Sequence, residues 1–144
     1  MTYNQTIEDL KSVLSNFQSN EYKISLSNDG ALIVRNDDKI TCTVSLTDNI
    51  GFKLWARLGE KDIQIQEDTE GYDVESYPEL TNTTVLNTIH LVHLLEKNEV
   101  QIEVIAKRLR KAREYLVIPT RDGKRLIFNQ WAFNNFSLDL GSDA

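Results

Sequence analysis

Cysteine occurs once in 144 residues, at position 42, so no internal disulfide can staple the chain. Cys42 shares an alternating stripe with Ile40, Val44 and Leu46, which makes it a small core residue in a reducing compartment rather than a reactive thiol. The first residues carry neither a basic stretch nor an apolar core of the kind that makes a secretory leader, so the expected location is cytoplasmic. The longest apolar run, 84–96, falls short of the roughly 20 residues that cross a bilayer, and no membrane partner is expected. There is no glycine-rich phosphate loop, no CxxC, no GxSxG and no HExxH. Without such a motif the chain reads as non-enzymatic, with no cofactor. The one metal-like spacing is His90-x-x-His93-x-x-Glu96, but on a helix Glu96 sits about 60° round from His93, so the two histidines read as a solvent stripe.

What is present divides by period. Residues 7–17 place Ile7, Leu10, Val13, Leu14 and Phe17 on one helical face, with Thr6 as cap and Glu8 and Asp9 in the first turn. From 21 to 66 the period falls to two and turn clusters recur, the pattern of an antiparallel meander. Asn28-Asp29-Gly30 marks one hairpin. In 52–58 the alternation sends Phe52, Leu54, Ala56 and Leu58 inward and Lys53, Trp55 and Arg57 outward. Residues 67–79 are acidic and aperiodic and read as a long loop. The run 84–96 is apolar over most of a helical circumference, so the expectation is a buried central helix, with threonines 81, 83 and 84 among its cap candidates. Ile102, Ile105, Leu109, Ala112 and Leu116 recur at 3-4 spacing and predict a basic amphipathic helix over 101–115. Asp122-Gly123 then predicts a hairpin in which Arg121 opposes Lys124, with Pro119 either on an edge strand or with its N position turned to solvent, and the alternating apolar residues of 129–140 predict a last strand.

The expected architecture is therefore one α+β domain spanning 1–144. An antiparallel β-meander carries an N-terminal helix, two central helices (about 84–97 and 101–115) and a C-terminal hairpin and strand. Its parts are a strand-rich 1–66, an acidic loop 67–80, a helical and hairpin part 81–140 and a frayed tail 141–144.

Charge is segregated within a total of −6. Residues 60–103 hold eleven acids against Lys61 and Lys97, whereas 107–125 hold eight cations against Glu114 and Asp122. Those cations, Lys107, Arg108, Arg110, Lys111, Arg113, Arg121, Lys124 and Arg125, exceed what i,i+4 pairing within a helix requires and form the candidate partner-binding site. Opposite poles on a small acidic protein suit steered association with another protein, as a regulator, an inhibitor or a chaperone-like accessory protein, and could pair head to tail in a homo-oligomer. The alternative is nucleic-acid binding. The order helix, basic helix, basic hairpin over 84–128 is loosely similar to a winged-helix module, whose recognition helix enters the major groove.

Overall fold

The computed structural model describes residues 3–58, 61–69, 78–106, 108–109, 112–119, 125–129 and 138–140. Along these the order is α1 (Tyr3–Ser15), β1 (Tyr22–Ser27), β2 (Gly30–Arg35), β3 (Ile40–Ser45), β4 (Gly51–Leu58), β5 (Lys61–Asp68), α2 (Pro78–Glu96), β6 (Gln101–Ile105), β7 (Arg113–Pro119), β8 (Arg125–Asn129) and β9 (Leu138–Leu140). Strands β1 to β5 form one antiparallel meander in sequence order, and β6 to β9 form a second antiparallel sheet, so the α+β class holds.

Helix α1 buries Leu10 and Leu14 and half-buries Ile7 and Val13, and it ends at Ser15, so buried Phe17 completes the expected stripe from just beyond the helix. It begins at Tyr3 rather than after Thr6, because the residues between include no proline or glycine to stop it. In the meander, turn chemistry and alternation agree. Ser27 pairs with Gly30 around a two-residue loop, and Gly30 is required there: its φ is 146° and a Cβ would collide with the Val44 carbonyl oxygen. Ile33, Cys42, Leu54 and Ile63 are fully buried on the inner face, beneath the helices.

Three expectations fail on α2. It starts at Pro78, well before 84, with proline at the first helical position where its missing N–H costs nothing. The acidic loop 67–80 shrinks accordingly, since β5 runs through Asp68, Thr69 is buried and 78–80 are helical; 70–77 lie outside the described residues. The threonines meant as caps lie inside the helix, where Thr84 donates to the Leu80 carbonyl at 2.9 Å and Thr88 to the Thr84 carbonyl at 2.8 Å. A hydroxyl satisfied by its own helix can be buried, so Thr81, Thr84 and Thr88 join Val85, Leu91, Val92, Leu94 and Leu95 on the packed side. The helix is therefore not buried all round, and Leu80 and Leu86 face out. It packs on α1, β4 and β5.

Helix α2 ends in a left-handed Asn98 (φ 62°), with the Glu99 amide donating to the Leu94 carbonyl and the Asn98 amide to the Leu95 carbonyl, which closes the helix and turns the chain back. The predicted helix over 101–115 does not exist. Its residues form β6, a turn and the start of β7. The 3-4 recurrence of apolar residues coincided with two short β-branched runs, Ile102, Val104 and Ile105 in β6 and Val117 and Ile118 in β7, and such residues favour a pleated surface. Leu116, Ile118 and Phe128 enter the main core, while Tyr115, Val117 and Ile127 make a second small cluster on the opposite face.

The β7–β8 register also differs by one residue from expectation. Ile118 pairs with Leu126 and Pro119 with Arg125, whereas a two-residue Asp122-Gly123 turn would set Ile118 opposite Ile127. Face matching decides this, since a one-residue slip would send Phe128 away from the core that Leu116 and Ile118 enter. Of the two placements expected for Pro119, the edge strand is not the one found: it ends central β7, paired with Arg125 of β8 but beyond the last β6 pair, Gln101 with Val117, so no donor is needed toward β6. Of the expected last strand beyond Asn129 only Leu138–Leu140 is described; Trp131, Phe133 and Phe136 lie outside the described residues, as does the tail 141–144.

Candidate functional site

The eight cations from 107 to 125 do not line one helix face. Arg125 donates to Glu103 at 2.7 Å, neutralising a cation on β8 with an acid from β6. Arg113 opens β7 opposite Ile105 and is half-buried. Arg108 is exposed in the β6–β7 turn with no ion pair to another described residue. Lys107, Arg110, Lys111, Arg121 and Lys124 lie outside the described residues. Thus Arg113 and Arg125 sit on adjacent strands and Arg108 stands apart at a turn. The winged-helix reading loses its recognition helix.

A second surface comes from the meander. The inner face packs into the main core, and period two gives the other face a series of cross-strand rows, two of which lie between the row that ends in Asp68 and the Arg57–Asp62 pair. One row runs Lys23, Val34, Thr41, Trp55, Gln64; the next runs Ser25, Leu32, Thr43, Lys53, Gln66. These positions hold two cations, no acid, and three large apolar side chains. Leu32 is 42% exposed and Trp55 is 37% exposed, and among the described residues no element lies over them. At one border Arg57 pairs with Asp62 on the next strand at 3.2 Å, while Lys53 lies beside Trp55 on β4, with Asp68 one row further along lining the same pocket as Lys53. An indole with an exposed edge, set among threonine, glutamine and lysine, offers apolar area and hydrogen-bonding groups together, the composition of protein-recognition patches. Trp55 was evident from alternation alone. Its neighbours Leu32, Val34, Thr41 and Gln64 were not, because cross-strand register is needed to bring them together.

Titration marks structure here rather than chemistry. Complete burial pushes the Cys42 thiol up to about 12, far from a nucleophile's range. The Arg35 guanidinium grips Asp37 through two contacts of 2.6 and 2.7 Å and holds its carboxyl below the usual range, closing the β2–β3 turn. Burial raises the Tyr22 phenol to about 12, opposed by the charge of Arg35. His93 Nδ1 stands 4.0 Å from Glu96 Oε1, and among the described residues no three potential ligands converge as a metal site. Among the same residues no helix is long and apolar enough to cross a membrane. Comparisons with family models, with curated proteins and with solved structures return no match for this chain.

Proposed function

We propose that this chain is a non-enzymatic accessory protein, a regulator, inhibitor or chaperone-like factor, that binds another protein through the uncovered face of its first sheet. The observation that carries this reading is the Trp55 face: three large apolar side chains in acid-free rows, with Lys23 and Lys53 as the charges presented. Exposed apolar area on a packed sheet costs solubility unless something covers it. The cations favour an acidic partner, and Arg108, exposed and with no ion pair to another described residue, would help steer it by long-range attraction. The reading disfavours nucleic acid because the helix needed for the major groove is a pair of strands and the chain carries a net −6.

The test is affinity capture with the full chain, with and without nuclease, comparing wild type with Trp55→Ser. Loss of a tryptophan anchor of at least about 2 kcal/mol corresponds to roughly a thirtyfold weaker Kd. The expected result is a nuclease-resistant protein partner that the variant no longer retains, with circular dichroism unchanged. Equal retention by the variant, or a partner lost on nuclease treatment, would overturn the reading.

A further inference from the structure

The first sheet treats its two edges differently. Strand β5 closes one edge and carries Asp62, Glu67 and Asp68, acids that deter a second strand of like charge. Strand β1 closes the other without such guards: its register with β2 runs unbroken from Tyr22 to Ser27, with no bulge and no proline, and its one charge, Lys23, belongs to the outer rows. Which backbone groups it leaves free follows from its hairpin. A two-residue loop makes Ser27 and Gly30 a hydrogen-bonded pair, so Ser25 and Lys23 also bond inward to β2, while the amides and carbonyls of Tyr22, Ile24 and Leu26 point outward. Two contacts agree with that phase: the Asn36 amide donates to the Glu21 carbonyl at 2.8 Å, and the Tyr22 amide donates to Ser19 Oγ at 3.3 Å instead of into the ladder. Among the described residues no strand pairs with Ile24 or Leu26 on that side.

The side chains of this edge are incompletely covered as well. Leu26 belongs to the core-facing row with Ala31, Val44 and Phe52, yet it is 54% exposed while those three are buried. Ile24, in the next row on the same face, is half-buried against the main core. The edge is complementary to itself. Laid antiparallel across a two-fold axis at Ser25, two β1 strands place Ile24 opposite Leu26 and Lys23 opposite Ser27, so apolar meets apolar on the core side and no like charges face each other on the outer side. The outward amides and carbonyls of Ile24 and Leu26 then exchange main-chain hydrogen bonds in both directions. A slip toward Tyr22 would call on the amide that Ser19 already holds, and a slip toward the loop would set Ile24 against Asn28 of the turn.

We infer that two copies of this chain associate edge to edge, β1 of one against β1 of the other, making one continuous sheet across a two-fold axis at Ser25. The contact joins the same patch on both copies, so it closes at a dimer instead of growing into a chain. A strand of six residues makes a small contact, and the association is weak and concentration-dependent. It lies in the plane of the sheet, three strands from Trp55, and does not rest on the partner proposed for that face.

Single cysteines read this register in the full chain. Cys42 is fully buried and does not compete, and Lys23, Ser25 and Ser27 are exposed, so a cysteine at any of them leaves the fold intact. Residues facing across the axis lie about 4.5 Å apart at Cα, within disulfide reach, whereas Lys23 of one copy lies about 13 Å along the strand from Lys23 of the other. On oxidation, Ser25→Cys should cross-link to itself about tenfold or more faster than Lys23→Cys or Ser27→Cys alone, and an equimolar mixture of the last two should regain the fast rate. Leu26→Pro in the Ser25→Cys chain removes an outward N–H and no bond to β2, so circular dichroism should be unchanged while cross-linking slows about tenfold. Should that variant melt earlier than its parent, Leu26→Lys at the same exposed position takes its place and guards the edge with charge. Equal rates for the three single cysteines, or a Ser25→Cys rate indifferent to the Leu26 substitution in folded protein, would overturn the inference.

Discussion

Helix α2 carries two leucines that separate burial from helix propensity within one element. Leu95 is 0% exposed and belongs to the main core, whereas Leu86 is 37% exposed on the outer side. Leucine to alanine removes the same atoms at each position and changes intrinsic helix propensity slightly in alanine's favour. At Leu95 three buried carbons at about 0.8 kcal/mol each give roughly 2.4 kcal/mol, and a cavity in a packed site raises the total to about 3–5 kcal/mol. At Leu86 much of the side chain already meets water, so the loss should stay below about 1 kcal/mol. Against a total stability of roughly 5–15 kcal/mol, Leu95→Ala removes a large share, and its midpoint should fall by about 10–15 °C. Urea unfolding of both variants, followed by circular dichroism and read at constant m-value, measures the difference. Losses equal within error, or a loss below about 0.5 kcal/mol at Leu95, would refute the placement of α2 with this face against the first sheet.

Cys42 should resist thiol reagents in the native protein and react at the global unfolding rate, because burial both hides it and raises its pKa to about 12; labelling within seconds under native conditions would contradict its place in β3. Tyr22 has a folded pKa of about 12, above its usual 10.0, so the stability that its neutral phenol brings is intact below pH 10 and is lost as pH rises toward 12. Tyr22→Phe should therefore unfold less steeply than wild type across that window, and parallel alkaline profiles would count against burial of the phenol. Arg125→Ala should cost about 0.5–1 kcal/mol through the lost pair with Glu103, while Arg108→Ala leaves the midpoint unchanged; denaturant titration of the two tells the structural cation from the exposed one.

The meander was legible because turn chemistry and alternation gave the same answer at each step. Asn28-Asp29 before Gly30 fixed the first hairpin, and the stripe of Ile40, Cys42 and Val44 fixed the inner face. Residues 101–115 misled for the opposite reason. Their apolar positions fit both a 3-4 repeat and paired strands, and what decided was a helix stop at Asn98 together with a core that needed Leu116, Ile118 and Phe128 on one side. The start of α2 was hidden by buried threonines, which resemble caps until their hydroxyls are traced to carbonyls one turn back. The candidate site was legible in part. Alternation exposes Trp55, but the residues that surround it come from strands up to three turns of chain away, and only register joins them. The basic residues looked like one ridge because a helix was assumed, and in β-strands and a turn the described ones separate.

The most direct test of docking on the Trp55 face places a photo-activated aromatic cross-linker at position 55 in the full chain inside cells, with the same group at Glu8 on α1 as control. Both positions are exposed, and Glu8 lies outside the acid-free rows. The predicted result is a discrete protein adduct at 55 that survives nuclease, is absent at 8 and fades when Lys53→Glu reverses the adjacent charge. The same adducts at both positions, or adducts at 55 composed of nucleic acid, would contradict it.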